Sequence, residues 1–297
     1  MKRRYAVLVG FTLLLPLIYY MVHPIQPEAR LRVAVTSSLY ATGLLDYVAK
    51  KFKDVHPDVE VLLIPVGSGA ALRYAERGDA CAIIVHEPTL EKSYLDRKVI
   101  EGQRILAVNY FIIAGPRSDP ANISRARDVV DAFRRIYDAG ERGLTYFISR
   151  ADDSATYIRE IKMWRSAGVS PTNRRWYVEC GCGMDQALIM ASELKGYILS
   201  DVGTYTALRA RGRIQDIDVL YNGSTDTMLL NVYSGYIAKR CGGVEREYAD
   251  LFLDFIYSNP DIVDRFGVKE YGSPLFYSTK LFGDRIVDLW RGLALGE

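Results

Sequence analysis

Histidine is scarce in this chain of 297 residues, which contains only His23, His56 and His86. The sequence has no HExxH pair, no Walker loop and no Gly-x-Ser-x-Gly turn, so the common motifs of metalloproteases, nucleotide hydrolases and serine hydrolases are absent. His56 precedes a proline and is expected to be a solvated turn residue, whereas His86 ends a predicted strand and could reach a cleft. We therefore expect a protein that is not an enzyme and that carries no metal or other cofactor.

An excess of charge of one sign is also absent. Lysine plus arginine number 38 and aspartate plus glutamate 36, which gives a net charge of +2 and argues against bulk binding of nucleic acid. Hydrophobic residues make up 49% of the chain, which excludes a polar disordered protein. Because single cores stop growing near about 250 residues, the length predicts two domains or lobes.

The N-terminus carries the longest uncharged run. Lys2, Arg3 and Arg4 precede residues 5–22 (YAVLVGFTLLLPLIYYMV). A positive front followed by an apolar run of this length is typical of a secretory signal peptide or of a short membrane anchor. No clean Ala-x-Ala site follows, so an uncleaved anchor is favoured. Residues 1–29 are thus interpreted as signal peptide or anchor plus a proline-containing linker, and the remainder as extracytoplasmic.

Four cysteines, Cys81, Cys180, Cys182 and Cys241, can form disulfide bonds in an oxidising compartment. Spacing alone does not determine which of them pair. Only one residue separates Cys180 from Cys182, so we expect one of these two to pair with Cys81 or Cys241 rather than with the other. A zinc site would need two further ligands.

The hydrophobic pattern alternates between strands and helices. Strands are predicted at residues 31–35, 58–64 and 80–85, with helices at 42–54 and 67–77 between them, an order typical of a parallel α/β sheet. A second α/β series and a helical C-terminus follow. The second series has helices at 123–139, 152–167, 184–194 and after 201, and strands at 144–148, 176–179, 196–199 and 218–221. The final helices are predicted at 244–257, 261–266 and 280–293.

Two long apolar segments predict chain crossings between two lobes. Residues 105–115 (ILAVNYFIIAG) are too long for an ordinary buried strand, and residues 230–238 are predicted to return. Lobe 1 would then comprise residues 30–114, lobe 2 residues 115–230, and residues 231–297 would complete lobe 1 and add the C-terminal helices. Two crossings place a cleft at the hinge, where strand ends and helix starts meet.

Three predicted strand-to-helix turns carry hydroxyl side chains at this cleft. They are residues 36–38 (TSS), 67–69 (GSG) and 149–156 (SRADDSAT), the last of which contains Arg150. Backbone N–H groups at helix N-termini attract anions, and an arginine adds charge-assisted hydrogen bonds. Ordinary helix capping explains any one turn more simply, and an arginine beside two aspartates can be a surface ion pair. Together, turns from opposite lobes would surround a compact oxyanion.

Seven segments of the chain carry a family resemblance. They are TSSLYATGLLD (36–46), VGSGAAL (66–72), RGDACAIIVHEP (77–88), ISRADDSAT (148–156), ECGCGM (179–184), LSDVGTYTAL (199–208) and FGVKEYGSPLFY (266–277). In this order they resemble the extracytoplasmic tungstate-binding receptors of ABC transporters, which are type II periplasmic binding proteins. The resemblance covers nearly all of the chain after residue 30.

The resemblance implies an α/β protein of two lobes, each a mostly parallel sheet flanked by helices, preceded by an N-terminal hydrophobic helix. It implies a monomeric receptor that captures tungstate, or molybdate of nearly the same size, and delivers it to an ABC permease and its ATPase. No nucleic acid would take part. Arg150 would be the sole fixed positive charge on the ligand and Asp152 would hold it. The matching ligand-binding positions are Ser37, Ser38, Ser68, Arg150, Ser154 and Thr156.

The sequence departs from the family pattern at several positions. Ala151 and Ala155 stand where the third turn usually has glycine, and Leu39 stands where the first turn usually has a hydroxyl residue. Cys180 and Cys182 interrupt a loop that is usually free of cysteine. These departures leave the set of hydrogen-bond donors open.

Glu87 replaces a residue that is usually small, and it bears on the choice of anion. Phosphate keeps a proton near neutral pH and benefits from a buried carboxylate acceptor, whereas unprotonated tungstate is repelled by one. A carboxylate pointing into the cleft beside Ser37 and Ser68 would favour phosphate or another oxyanion, and one facing solvent would favour tungstate or molybdate. An enzyme on the same scaffold would use His86 or Glu87 as general base.

Overall fold

The computed structural model describes residues 29–222, 226–272 and 274–295. The predicted anchor, its hydrophobic helix and nearly all of the linker lie outside these residues. Within the described ranges, no helix is both long enough and apolar enough to span a bilayer.

The described residues form nine strands and twelve α-helices. The strands are β1 Ala29–Thr36, β2 Val59–Val66, β3 Ala82–Val85, β4 Ile100–Pro116, β5 Phe147–Ser149, β6 Tyr177–Glu179, β7 Ile198–Asp201, β8 Ile217–Asn222 and β9 Leu230–Ala238. The helices are α1 Ser37–Ala41, α2 Leu44–Val55, α3 Ser68–Arg77, α4 Pro88–Asp96, α5 Val129–Glu141, α6 Ala155–Ser166, α7 Met184–Leu194, α8 Val202–Ala210, α9 Gly243–Ser258, α10 Pro260–Asp264, α11 Val268–Tyr271 and α12 Arg285–Leu295.

The 17-residue strand β4 connects two groups of strands. From Ile100 to Tyr110 it pairs antiparallel with β9, and from Phe111 to Pro116 it pairs antiparallel with β7 and β8. The first group is ordered β2-β1-β3-β9-β4, and in it only β9 opposes the other strands. The second group comprises β5 to β8 and the end of β4, and only β4 opposes the others. Both groups are therefore mostly parallel, and we call them lobe 1 and lobe 2.

Local chemistry explains where several elements differ from their predicted bounds. The helix predicted at 42–54 begins only at Leu44, because Gly43 has φ of +83° and cannot continue a right-handed helix. The helix predicted at 123–139 divides into a short 3-10 turn and α5, because Asp128 accepts the N–H of Asp131 and caps a new start.

Helices cover the sheets with aromatic contacts. In lobe 1, Phe52 of α2 meets Phe252 of α9 edge to face, with ring centroids 5.2 Å apart. His56, which was expected to be solvated, is half-buried and lies against Phe52 at 4.4 Å. In lobe 2, Trp164 of α6 meets Phe147 of β5 edge to face at 5.0 Å. Burial of each large side chain stabilises the fold by about 1.5 to 3 kcal/mol. These contacts fix the positions of the strand ends from which the polar turns extend.

Glu91 anchors the C-terminal helix to lobe 1 from a fully buried position in α4. Its Oε2 accepts the indole N–H of Trp290 in α12 and the hydroxyl of Tyr236 in β9, both at 2.7 Å. Burial raises the pKa of Glu91 to about 8, although these hydrogen bonds oppose the change. The folded protein therefore holds a proton that the unfolded chain releases above pH 4.5.

Because of this bound proton, we expect Glu91→Gln to change how the stability of the protein depends on pH. Because the folded pKa is raised, the contribution of Glu91 to stability is complete below pH 4.5 and is lost as pH rises to about 8. The pKa rises from 4.5 to about 8, and each unit corresponds to about 1.4 kcal/mol, so the variant should exceed the wild type in stability by several kcal/mol at pH 9. Urea unfolding between pH 4 and 9 measures the difference, which should be smallest at pH 4. Glu247→Gln, on the exposed surface of α9, is the control, and identical pH dependence in both variants would contradict the prediction.

Candidate functional site

The three polar turns predicted from sequence meet between the lobes. The second and third turns are in direct contact, because a Cβ built on Gly67 would lie only 2.8 Å from the carbonyl oxygen of Asp153. The first turn continues into α1, which packs against α7 and α8 of lobe 2. The hydroxyl oxygen of Thr204 in α8 lies 3.5 Å from the carbonyl oxygen of Ser38, although its hydrogen is donated to Asp201 at 2.7 Å. The cleft is therefore closed around these turns.

The first turn places hydroxyl groups in the closed cleft. Ser38 is only 2% exposed, and among the described residues its Oγ has no hydrogen-bond partner. The buried Oγ1 of Thr36 is in the same condition, whereas Ser37 is half-buried. An unsatisfied buried hydroxyl costs about 1 to 3 kcal/mol, so these two groups are candidates to bind a polar ligand.

The second turn contributes Ser68, which is buried at the first position of α3. Its Oγ accepts only a long hydrogen bond, 3.5 Å, from the N–H of His86. Gly67, which precedes it, has no side chain to cap the helix, so the first N–H groups of α3 are available to an anion.

The third turn contributes the charged group. Arg150 is 3% exposed, its terminal nitrogen contacts Asp152 at 2.5 Å, and its Nε has no partner among the described residues. Thr156 is 1% exposed, and its Oγ1 is also without a partner. The Oγ of Ser154 accepts the N–H of Tyr157 at 3.2 Å, so this serine is an ordinary N-cap whose own hydrogen remains available. Arg150 and Thr156 therefore complement the donors of lobe 1.

Buried groups behind the third turn support its backbone. The hydroxyl of Ser149 donates to Glu160 at 2.9 Å and accepts the N–H of Ala151 at 3.2 Å. Ala151 has φ of +46°, a left-handed conformation that favours glycine. Burial raises the pKa of Glu160 to about 7.

The expected pairing of Cys180 or Cys182 with Cys81 or Cys241 is wrong. Cys81 is bonded to Cys241 and Cys180 to Cys182, each with a Cα separation of 5.2 Å. Gly181 has φ of +62°, which lets the chain reverse between its neighbours. The N–H groups of Cys180 and Cys182 donate to the carbonyls of Ser149, at 3.0 Å, and Arg150, at 3.2 Å. The short bridge therefore holds the backbone of the third turn.

His86 lies in a buried polar network at the hinge. Its Nδ1 is hydrogen-bonded to Oδ1 of Asn231 at 2.7 Å, and the amide of Asn231 donates to Asn109 and to Tyr233 at 2.8 Å. Burial lowers the pKa of His86 to about 3, with repulsion from Arg150 contributing. His86 is therefore neutral near neutral pH, and a histidine with so low a pKa is a weak base.

Glu87 has neither of the two orientations considered from the sequence. It is 1% exposed, and one carboxylate oxygen accepts the N–H of Leu90 at 2.7 Å as the N-cap of α4. The other oxygen pairs with Nζ of Lys162, on α6 of lobe 2, at 3.0 Å. The carboxylate is therefore neutralised by a cation instead of pointing to solvent or standing unpaired in the cleft.

Two polar residues near the hinge, Asn109 and Arg159, were not identified from the sequence, and Thr36 was placed in the first polar turn but not in the ligand-binding set. The Nδ2 of Asn109 is buried without a partner among the described residues. Arg159 lies three residues after Thr156, on the same face of α6, and its guanidinium lies 5.6 Å from the ring centre of Phe111. It is a second buried cation, and the i, i+3 spacing from Thr156 was the available signal. Asn109 had no signal beyond its place in an apolar strand.

A family profile, a protein sequence and two solved structures are similar to this chain. A profile of the PBP superfamily domain matches residues 24–260. The tungstate-binding protein TupA of Peptoclostridium acidaminophilum is 31% identical over 259 residues, which are 84% of this chain and 86% of that protein. The crystal structure of the tungstate ABC transporter from Geobacter sulfurreducens has 33% identity and a TM-score of 0.67, over 82% of this chain and 97% of that one. The tungstate-binding protein TupA from Desulfovibrio alaskensis G20 has 30% identity and a TM-score of 0.69, over 84% and 98%.

Proposed function

The chain belongs to the PBP superfamily and to the family of the TupA proteins, and from this premise we propose that it is an extracytoplasmic receptor that captures tungstate and delivers it to an ABC permease and its ATPase. The family resemblance read from the sequence is confirmed, and so is the two-lobed α/β fold of type II periplasmic binding proteins.

One observation carries the choice of ligand class: donors without partners lie in the closed cleft and come from both lobes. They include Oγ of Ser38 from lobe 1, and Nε of Arg150 and Oγ1 of Thr156 from lobe 2. A tetrahedral dianion offers only acceptor oxygens, which is the complement that these donors require. This supports the predicted ligand-binding set of Ser37, Ser38, Ser68, Arg150, Ser154 and Thr156, to which we add Thr36 and Asn109.

The charges of the site favour an unprotonated anion. Protonated phosphate needs an acceptor, but the nearby carboxylates already have partners: Glu87 pairs with Lys162, and Asp152 pairs with Arg150. Asp201 accepts the N–H and the hydroxyl of Thr204. Tungstate and molybdate therefore suit the site better than phosphate, and sulfate, which is also unprotonated, would be rejected by its smaller size.

Binding without catalysis is part of the proposal. The named relatives are binding and transport proteins. The two candidate bases are unsuited to proton abstraction, because the pKa of His86 is lowered to about 3 and the carboxylate of Glu87 is occupied by a helix N–H and by Lys162. An enzyme on this scaffold would need one of them free.

We also propose the chain organisation that the sequence indicated. Residues 1–29 would export or anchor the protein, lobe 1 would comprise 30–114 and 231–297, and lobe 2 would comprise 115–230. The division at 114 falls within the β4 segment that pairs with β7 and β8, and the division at 230 falls at the first residue of β9. A monomer would present one cleft to the permease.

Titration calorimetry with tungstate, molybdate, phosphate and sulfate at one ionic strength tests the proposal. Tungstate and molybdate should bind at least 100-fold more tightly than phosphate and sulfate, and a nanomolar Kd would correspond to about −12 kcal/mol. Tighter binding of phosphate would transfer the assignment to a phosphate receptor. Absence of heat with all four anions would reject an oxyanion receptor.

The short disulfide gives a further prediction. In the double variant Cys180→Ser/Cys182→Ser, the loop that holds the backbone of Arg150 loses its cross-link, and we expect the Kd for tungstate to rise about tenfold, which corresponds to about 1.4 kcal/mol. Cys81→Ser/Cys241→Ser is the matched control, because that bond closes a separation of 160 residues at the far end of β3. It should lower the melting temperature and leave the Kd unchanged. Equal losses of affinity in both variants would count against this role of the loop.

A further inference from the structure

Within the ranges that the structure describes, two ion pairs join the lobes across the closed cleft, and they differ in environment. Arg73 of α3 contacts Asp153 of the third turn at 2.8 Å, and both side chains are largely exposed. Lys162 of α6 contacts Glu87 at the start of α4 at 3.0 Å, and there the carboxylate is 1% exposed and the lysine side chain 32% exposed. Exposed pairs contribute little free energy, so the second pair is the candidate for a functional contact.

Lys162 has two acceptors on lobe 1. Its Nζ donates to Oε1 of Glu87 and, at 2.6 Å, to the hydroxyl of Thr89 in the first turn of α4. The second oxygen of Glu87 is already committed to the N–H of Leu90. Separation of the lobes would remove the only cation within ion-pair distance of this carboxylate among the described residues. Because unpairing a buried charge is costly, opening would be opposed whenever the carboxylate stays buried.

The helix that carries Lys162 also carries ligand-binding groups of the proposed site. Ser154 caps α6 and Thr156 lies in its first turn. Arg159, one turn before Lys162, adds attraction, because the charge of Glu87 partly offsets the lowering of its pKa that burial causes. Lys162 thus holds this helix to lobe 1 two turns after its N-terminus, where the anion of the proposed function would hold it as well.

We propose that Lys162, Glu87 and Thr89 form an interlobe latch that favours the closed cleft and sets the rate of ligand release. The inference rests on the proposed function, because the released ligand is the anion in that cleft. When only the closed state binds tightly, the apparent Kd equals the intrinsic Kd divided by the fraction of closed protein. A contact that is made only on closing therefore acts mainly on dissociation. In this proposal, Glu87 acts in closure of the cleft and does not bind the anion directly.

The test compares Lys162→Met, which keeps the length of the apolar stem, with Arg73→Met, which removes the exposed interlobe pair. Tungstate dissociation and association rates are measured by stopped-flow tryptophan fluorescence on the purified full chain. We expect the dissociation rate of Lys162→Met to rise about tenfold and its association rate to stay within about twofold of the wild type. Arg73→Met should change both rates less than about twofold. Dissociation rates that are the same in the two variants would overturn the latch.

Glu87→Gln provides a second variant, since its amide oxygen can still cap α4 through the N–H of Leu90. It should release tungstate as fast as Lys162→Met, and the double variant Lys162→Met/Glu87→Gln should be no faster than either single variant, because the two side chains act as one pair. Additive effects of the two substitutions would contradict a shared contact.

X-ray scattering separates failure of the latch from failure of the proposed function. If the wild type binds no tungstate, the proposed function fails, and the radius of gyration of the ligand-free proteins then decides on the latch. A larger radius for Lys162→Met than for Arg73→Met would support the latch, and equal radii would overturn it.

Discussion

Arg150→Ala is expected to raise the Kd for tungstate at least a thousandfold, which is about 4 kcal/mol. The guanidinium is 3% exposed, and its Nε is directed to no protein group among the described residues. Charge-assisted hydrogen bonds contribute about 1.5 to 3 kcal/mol each. Its removal would also leave the negative charge of Asp152 uncompensated, which would repel the anion. Calorimetry with tungstate measures the loss.

Arg150→Lys is the matched variant for this prediction. Lysine keeps the charge but lacks the planar fork that can hold Asp152 and the anion together, so an intermediate loss of about 10- to 100-fold is expected. Thermal melting of the ligand-free proteins establishes that both variants are folded. If Arg150→Ala binds tungstate within tenfold of the wild type, the site is misplaced.

Gly67→Ala is expected to raise the Kd about 100-fold without unfolding the protein. A Cβ at this position would lie 2.8 Å from the carbonyl oxygen of Asp153 and 3.2 Å from its carbon, both of which are backbone atoms on the opposite lobe. The backbone of Gly67, with φ of −73° and ψ of 158°, is open to alanine. The clash therefore arises only on closing, and the lobes cannot come together fully around the anion.

Gly69→Ala is a control from the same turn. Its Cβ would lie 3.6 Å from the same carbonyl oxygen and 3.5 Å from the end of the flexible Arg73 side chain, which are ordinary contacts. Its Kd should stay within about threefold of the wild type. Scattering with saturating tungstate should show a more open Gly67→Ala protein, and equal affinities of the two alanine variants would contradict a closed ligand-bound state.

Much of the fold was predictable from local patterns. The apolar run at 105–115 indicated the crossing strand, which the structure extends to Ile100–Pro116. The predicted α/β alternation is present because periodicity reflects which face of each element is buried. The observed bounds of an element differ from the predicted ones where a single residue determines its end. Gly43 is an example, because its positive φ makes α2 begin at Leu44.

Site residues were predictable from the sequence where they lie in a turn that directly follows a strand. Ser38, Ser68, Arg150 and Thr156 are all buried where the turns meet. Asn109 was not predicted, because it lies within an apolar strand whose pattern indicates a place in the hydrophobic core. The predicted disulfide pairing was wrong because the spacing of the cysteines does not reveal the positive φ of Gly181, which brings Cys180 and Cys182 together.

The sequence alone determined the order of strands and helices, the polar turns and the family to which the chain belongs, because each depends on residues that are neighbours along the chain. The tertiary structure decided which donors are left without partners, which carboxylate is neutralised and how tightly the second and third turns meet. Those features depend on contacts between distant segments, as in Lys162 and Glu87, which are 75 residues apart. Such contacts form only when the two lobes close on each other, and no local pattern encodes that geometry.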